Sequence, residues 1–236
     1  MGGVRAHAMP RLSKLLTTGA CLYLFSHDLV WGCRHYARVA KEAQSDFEVS
    51  LANTSSVLMA ASVLEAKLNE LSAQVTALSP EEPRAPLAFW KVLHDVRKDM
   101  KFKDKWNLIA SVSGGEVWDA SREPFQSYEL ITSVRNELVH YKSEYGEGGK
   151  PPVRKIEALI QRFKGAGFVF TFEPTDASWV STLLTARELA EWVAEVVEEF
   201  DMKFDHLLTG AAFTDQDRWL YERQKATGNP FIRNAL

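Results

Sequence analysis

The chain has 236 residues, of which 46% are hydrophobic and 25% charged, and its formal net charge is −3. This length and composition indicate a soluble globular protein with one large domain and a well-developed core. The negative net charge excludes a broad basic face that grips long nucleic acid, so any contact with nucleic acid must be local.

Residues 1–27 are predicted to be an N-terminal extension. The stretch 15–25 loosely resembles a signal peptide, but two threonines and a glycine interrupt it and no small-residue cleavage site follows. No stretch approaches the roughly 18 apolar residues of a membrane span. Cys21 and Cys33 fit no zinc or redox motif, which indicates a reducing compartment. We expect a cytoplasmic protein without membrane contact, with a targeting or membrane-contacting role of residues 1–27 as the alternative.

Residues 28–208 are predicted to form an all-α domain, an antiparallel helical bundle with a long first helix. Apolar residues recur within 28–79 at alternating steps of four and three, which lays one apolar stripe along a helix. A break is expected near Ser50 to Ser56, because Asn53 and its hydroxyl-bearing neighbours weaken helical preference. The stripe consists of Val57, Ala61, Leu64, Leu68, Leu71, Val75 and Leu78.

Three prolines make residues 79–86 a connection between helices. A second helix is predicted over Leu87 to Met100. A third, shorter helix centres on Trp106 and ends at Gly114 and Gly115, because glycine terminates helices readily. Tryptophans that fall within apolar patterns are expected in the core: Trp90, Trp106, Trp179 and Trp192.

The next helix is predicted to start at Pro124, a favourable first-turn residue, and to end before the glycine-rich loop 146–149. That loop lacks the features of a phosphate-binding loop. A short helix over Val153 to Phe163 follows.

Phenylalanines alternate with other residues at 168–172, which favours an extended, buried segment. A last long helix is predicted to start with a capping box formed by Thr185 and Glu188. Residues 209–236 are predicted to be a C-terminal tail.

The octapeptide from Arg135 to Lys142 is the strongest candidate for a functional site. With about 100° per residue, Arg135, Asn136 and His140 project within about 140° of one another, and Leu138 points away from them towards the core. The guanidinium can hold two phosphate oxygens, and an imidazole can transfer a proton near neutral pH. Such a cluster can promote cleavage of RNA by attack of the RNA's 2′-hydroxyl on the adjacent phosphate, without a metal or another cofactor. This requires an acid and a base, which two copies of the motif facing each other across a dimer could supply.

Arg135-Asn136 followed by His140, late in a small helical domain, resembles the Arg-polar-(x)3-His signature of HEPN domains. Similarity to uncharacterised bacterial HEPN-like proteins extends over roughly residues 50–145. The supporting segments are Ala61 to Glu70, Asp104-Lys105-Trp106 and Glu123 to Gln126.

The resemblance implies a homodimeric, metal-independent endoribonuclease of a toxin–antitoxin or defence system, with Arg135, Asn136 and His140 as catalytic residues. It also leaves open a non-catalytic module that binds RNA, a nucleotide, or a partner such as a nucleotidyltransferase-type antitoxin. A plain helical adaptor is the third alternative.

Further candidate RNA contacts are four lysines that could follow a phosphate backbone. The alternative for them is a solvated charged face. For Arg135 it is a salt bridge, for example with Glu129 or Glu137, and for His140 a capping or core-edge position near a helix C-terminus. One of Glu65, Asn69 and Glu70 is expected to hold Arg135 from across the bundle, and the alternative is that they face solvent. No metal site is expected, because the histidines lack companions at ligand spacing. The four lysines are Lys101, Lys103, Lys105 and Lys142.

Overall fold

The computed structural model describes residues 25–78, 85–96, 98–140, 154–168 and 179–207. These residues form helices and their connections, without a strand among them, so the predicted all-α class is confirmed. The helices are α1 (Phe25–Glu42), α2 (Asp46–Leu78), α3 (Ala85–Val96), α4 (Phe102–Ser113), α5 (Phe125–Val139), α6 (Arg154–Gly165), α7 (Trp179–Leu184) and α8 (Leu189–Leu207).

Several predicted features lie outside the described residues. They comprise the signal-like stretch, the proline connection, the glycine-rich loop, the phenylalanine segment beyond residue 168, Lys142 and the C-terminal tail. The side chains of Trp90 and Trp179 also lie outside the described part.

The central element is α2, which packs against α1, α3, α4, α5, α7 and α8. The described part of the predicted apolar stripe faces this core: Val57, Leu64, Leu68 and Leu71 are buried, and Ala61 packs at its edge. The side chains of the other two members, Val75 and Leu78, lie outside the described part. Burial of one continuous face therefore holds a helix that is much longer than average against its neighbours.

The predicted break near Ser50 to Ser56 is wrong, because α2 is continuous there and the chain turns at residues 43–45. Ser45 and Glu48 start α2 with a capping box: Glu48 N–H donates to Ser45 Oγ at 3.3 Å, and Ser45 N–H donates to Glu48 Oε2 at 3.1 Å. The N–H of Gln44 also donates to this carboxylate, at 2.8 Å.

Polar residues are accommodated within α2 by two kinds of hydrogen bond. The hydroxyls of Thr54 and Ser55 donate to carbonyls four residues earlier, so the helix's own backbone satisfies their hydrogen-bonding capacity. Asn53 is completely buried and bonds to the α7–α8 connection. Its amide donates to the carbonyls of Leu184 at 2.6 Å and Ala186 at 2.8 Å.

The start of α8 also differs from the prediction. The helix begins at Leu189 rather than directly after Thr185, whose hydroxyl donates to the carbonyl of Thr182 at 3.3 Å. The first-turn N–H of Ala190 donates to Asn53 Oδ1 at 3.0 Å. A side chain from another helix therefore supplies a cap that the predicted local motif was expected to provide.

The other predicted boundaries shift by a few residues. α3 ends at Val96, four residues before Met100, and α6 runs from Arg154 to Gly165. Gly114 terminates α4 as predicted, with a left-handed φ of 72°.

The expectation that no stretch resembles a membrane span is wrong by the criterion of composition. Asp46–Ser72 of α2 is long and apolar enough to cross a membrane. However, the same helix buries Asn53, Ser56 and Lys67 together with its apolar stripe, as the core helix of a soluble protein does. The structure is therefore compatible with a soluble protein.

Tyr128 joins α5 to the backbone of α2. Its phenol is buried and lies 3.1 Å and 3.0 Å from the carbonyl oxygens of Ala60 and Ala61, while Leu64 N–H donates to the phenol at 3.3 Å. Desolvation raises the pKa of the Tyr128 hydroxyl far above its ordinary value, so the phenol stays neutral and can donate.

Tyr128→Phe should therefore reduce the free energy of unfolding by about 2 kcal/mol, because buried backbone groups of α2 lose their partner. Urea denaturation followed by circular dichroism measures the effect. The matched control is Tyr36→Phe in α1, which is only partly buried and should change stability by less than about 0.5 kcal/mol. Equal stability of Tyr128→Phe and the native protein would show that water replaces the phenol.

Candidate functional site

The candidate site lies at the C-terminal end of α5. Arg135 is partly buried there, whereas Asn136 and His140 are exposed. The helix ends at Val139, so the three side chains occupy its last turn and its cap. Leu138 packs against the core and fixes the inward side of this turn, as predicted. Arg135, Asn136 and His140 lie on the outward side of the turn.

A hydrogen bond between adjacent side chains positions the guanidinium. Arg135 Nη1 donates to Asn136 Oδ1 at 3.0 Å. This bond restrains one edge of the guanidinium and leaves its other N–H groups available to an acceptor. Within the described ranges, no carboxylate forms an ion pair with Arg135, and Glu129 instead accepts from Lys103 and Trp118. The expected salt bridge with Glu129 is therefore absent.

His140 is held by its backbone. It caps α5 with φ −110° and ψ 28°, and its N–H donates to the carbonyl of Asn136 at 3.0 Å. This bond continues the helical pattern and keeps His140 one turn above Asn136, the neighbour relation that the spacing predicts. Over the described residues, no hydrogen bond to the imidazole ring is observed, and the residue is exposed.

Three of the four candidate lysines, which form the basic segment at the start of α4, lie in the described part of the chain, and their surroundings differ. They are Lys101, Lys103 and Lys105. Lys101 is exposed at the start of α4. Lys103 pairs with Glu129 and lies over the Trp118 ring, 5.7 Å from its centroid. Burial opposes the charge of Glu129, but hydrogen bonds from Lys103 and Trp118 outweigh it and lower the pKa of this carboxyl group. The ion pair of Lys103 and Glu129 is thus a partly buried contact between α4 and α5.

Lys105 lies in the interior, with 2% of its surface exposed. Its ammonium donates to Asn69 Oδ1 at 3.0 Å and lies 3.7 Å from Glu65 Oε1. The buried ammonium is held by these two acceptors of α2, and it reaches a phosphate only if these contacts break. Neither residue holds Arg135: Glu65 is 60% exposed, as the solvent-facing alternative predicts, and the partly buried Asn69 accepts from Lys105.

Glu70 also has a different partner. It accepts from Ser26 N–H at 2.8 Å and from Ser26 Oγ at 2.5 Å, and so caps the start of α1. Burial raises the pKa of the Glu70 carboxyl group, although the bonds from Ser26 act against this shift. None of the three polar residues expected behind Arg135 reaches it.

The cluster of Arg135, Asn136 and His140 is therefore local to one helix end, and Lys103 and Lys105 have their partners elsewhere in the described part of the chain. Glu129, which binds Lys103, lies six residues before Arg135, or about 9 Å along α5. Glu129 and Trp118 were missed as partners of the basic segment, because their sequence separation from Lys103 gives no local signal. Among the described residues, no group of three or more histidine, cysteine or acidic side chains could hold a metal ion.

Comparison with known protein families, curated proteins and solved structures found no match to this chain.

Proposed function

We propose that this chain is a HEPN-like protein whose Arg135–Asn136–His140 cluster binds RNA and promotes its metal-independent cleavage. The observation that supports the proposal is the guanidinium of Arg135, which Asn136 holds and which has no carboxylate partner in the described part of the chain. The exposed imidazole of His140 lies at the end of the same helix. An arginine in this state has charge and N–H donors to offer to a phosphate.

The proposed reaction begins with the RNA 2′-hydroxyl, whose proton moves to a neutral imidazole while the oxygen attacks the adjacent phosphorus. The bond from phosphorus to the 5′-oxygen breaks, and this oxygen takes a proton from a second, protonated imidazole. The products are a 2′,3′-cyclic phosphate and a 5′-hydroxyl. Arg135 stabilises the negative charge on the phosphorane. Because each imidazole has one proton task, His140 from two copies of the chain would complete the site.

His140→Ala should lower the rate of RNA cleavage in the presence of chelator by about 10²- to 10⁴-fold, the usual contribution of a general acid or base. The matched control is His35→Ala, since His35 is exposed on α1. Cleavage is followed by the appearance of cyclic-phosphate ends. Wild-type protein that leaves all tested RNA intact, or cleavage unchanged in His140→Ala, would refute the catalytic role. Growth arrest on expression, absent with His140→Ala, would support a toxin or defence function.

A non-catalytic binding module is the second candidate, and one observation favours it. Asn136 directs its amide oxygen to Arg135, and no described side chain orients the imidazole ring, although catalytic bases are usually oriented by a third group. This candidate predicts that Arg135→Ala weakens RNA binding, while His140→Ala leaves it unchanged. Arg38→Ala, at an exposed site on α1, is the control. A cytoplasmic location and an antitoxin-type partner are compatible with either candidate.

A further inference from the structure

The outer face of α2 is apolar although it is exposed. Phe47, Leu51 and Leu58 are 76%, 58% and 37% exposed. Steps of four and seven residues place these side chains within about 40° of one another on the helix. The buried residues of α2, such as Ala60 and Ala52, lie on the opposite side. This outer face therefore projects away from the core.

The middle of this face carries no charge. The sequence from Val49 to Leu64 contains no charged residue, which corresponds to about 24 Å of helix. The hydroxyls on this face donate to the backbone of their own helix: Thr54 to Ser50 at 2.7 Å, Ser55 to Leu51 at 2.9 Å, and Ser62 to Leu58 at 3.1 Å. Covering the face therefore buries apolar groups without leaving these hydroxyls unpaired.

We propose that this face binds the same face of a second copy of the chain, with the two α2 helices antiparallel about a two-fold axis beside Thr54 and Ser55. A two-fold contact requires a surface that complements itself, and a face that carries charge of one sign would repel its copy. Here the pairing is favourable along the whole length. Leu51 meets Leu58 of the other copy, and the large Phe47 meets the small Ser62.

The acidic residues at the two ends of the face each have a partner within their own chain, although the side chain of Glu65 remains 60% exposed. Glu48 accepts from the N–H groups of Gln44 and Ser45. Glu65 lies 3.7 Å from the ammonium of Lys105. A contact of one helix against another is small among specific interfaces, so the dimer dissociates on dilution.

This dimer is distinct from the paired site of the proposed function. α5 contacts the backbone of α2 at Ala60 and Ala61 through Tyr128. The proposed contact involves side chains of α2 and none of α5, so it does not depend on whether two copies of His140 meet.

Sedimentation velocity over a range of concentrations tests the dimer. The wild-type chain should show a concentration-dependent monomer–dimer equilibrium, which Leu51→Lys should abolish. The matched control is Met202→Lys on α8, whose side chain is 57% exposed, and it should dimerise like the wild type. A wild-type chain that stays monomeric, or a dimer that persists in Leu51→Lys, overturns the proposal. RNA cleavage measured on the same variants reports on the proposed function separately.

Disulfide trapping tests the antiparallel register in chains that carry Cys21→Ser. Leu51→Cys and Leu58→Cys should cross-link when the two variants are mixed and not when either is oxidised alone, because residue 51 faces residue 58 and not itself. Cys33 does not interfere, since it is buried and burial raises its pKa to about 12. Equal cross-linking in the separate samples overturns the register.

A lipid surface is the alternative occupant of this face. Co-sedimentation with phosphatidylcholine vesicles distinguishes it, using the same Leu51→Lys and Met202→Lys variants. A monomeric wild type that binds the vesicles, with loss of binding only in Leu51→Lys, would assign the face to lipid and overturn the dimer.

Discussion

Trp106→Ala should reduce the free energy of unfolding by about 5 kcal/mol. The indole is completely buried between α5 and α8, with ring centroids of Phe125 and Phe200 at 5.5 Å and 6.0 Å. Truncation leaves a large cavity, which costs about 4 kcal/mol for a buried tryptophan. It also removes the bond from Trp106 Nε1 to the carbonyl of Glu116 at 2.9 Å, worth about 1 kcal/mol. A loss of this size is comparable to the whole stability of many domains.

Urea denaturation followed by circular dichroism measures this effect, and two variants separate its parts. Trp106→Phe keeps most of the ring packing but loses the donor, so we expect a loss between about 1 and 3 kcal/mol. Trp31→Ala removes a tryptophan that is 43% exposed on α1 and should cost less than about 1 kcal/mol. Similar losses for Trp106→Ala and Trp31→Ala would contradict the central position of Trp106.

Asn53→Ala should reduce the free energy of unfolding by about 3 kcal/mol or more. The side chain makes three hydrogen bonds, two to the carbonyls of Leu184 and Ala186 and one from the N–H of Ala190. Truncation leaves all three groups buried without this partner, and each such group costs about 1–3 kcal/mol. Thermal and urea denaturation provide the measurement.

Asn53→Asp separates the two functions of this side chain. The carboxylate can still accept from Ala190 but cannot donate to the two carbonyls, so this variant should be at least as unstable as Asn53→Ala at neutral pH. Asn136→Ala, at an exposed position, should change stability by less than about 0.5 kcal/mol. If Asn53→Asp were as stable as the native chain, the cap on α8 rather than the two donated bonds would be the important contact.

The positions of the helices could be predicted largely from the sequence, because apolar spacing records which face of a helix is buried. The stripe of Val57, Leu64 and Leu68 is buried as expected. The turn between α1 and α2 could also have been predicted from the sequence, because Ser45 and Glu48 have the spacing of a capping box. The predicted break failed because the role of Asn53 depends on residues more than 130 positions later in the chain. Such partners leave no local pattern.

In the candidate site, too, some features could be predicted from the sequence and others could not. The neighbour relation of Asn136 and His140 follows from helical geometry, and it is present in the structure. The bond from Arg135 to Asn136 joins adjacent residues, yet it depends on rotamers that a sequence does not specify. The basic segment could not be interpreted correctly from charge alone, because the acidic and amide partners of its lysines belong to other helices.

The paired state of Lys103 and Lys105 has a consequence for how the proposed binding of RNA depends on ionic strength. Cations that contact RNA phosphates release condensed counterions, and the number released sets how steeply affinity falls with salt. Lys103 and Lys105 already contact acceptors within the protein. RNA that binds without breaking these contacts therefore releases few counterions through these two lysines. Among the described cations of α5 and this segment, Arg135 and the exposed Lys98 and Lys101 would dominate the dependence. RNA bound at α5 should therefore tolerate added salt better than the density of lysines between residues 98 and 105 suggests.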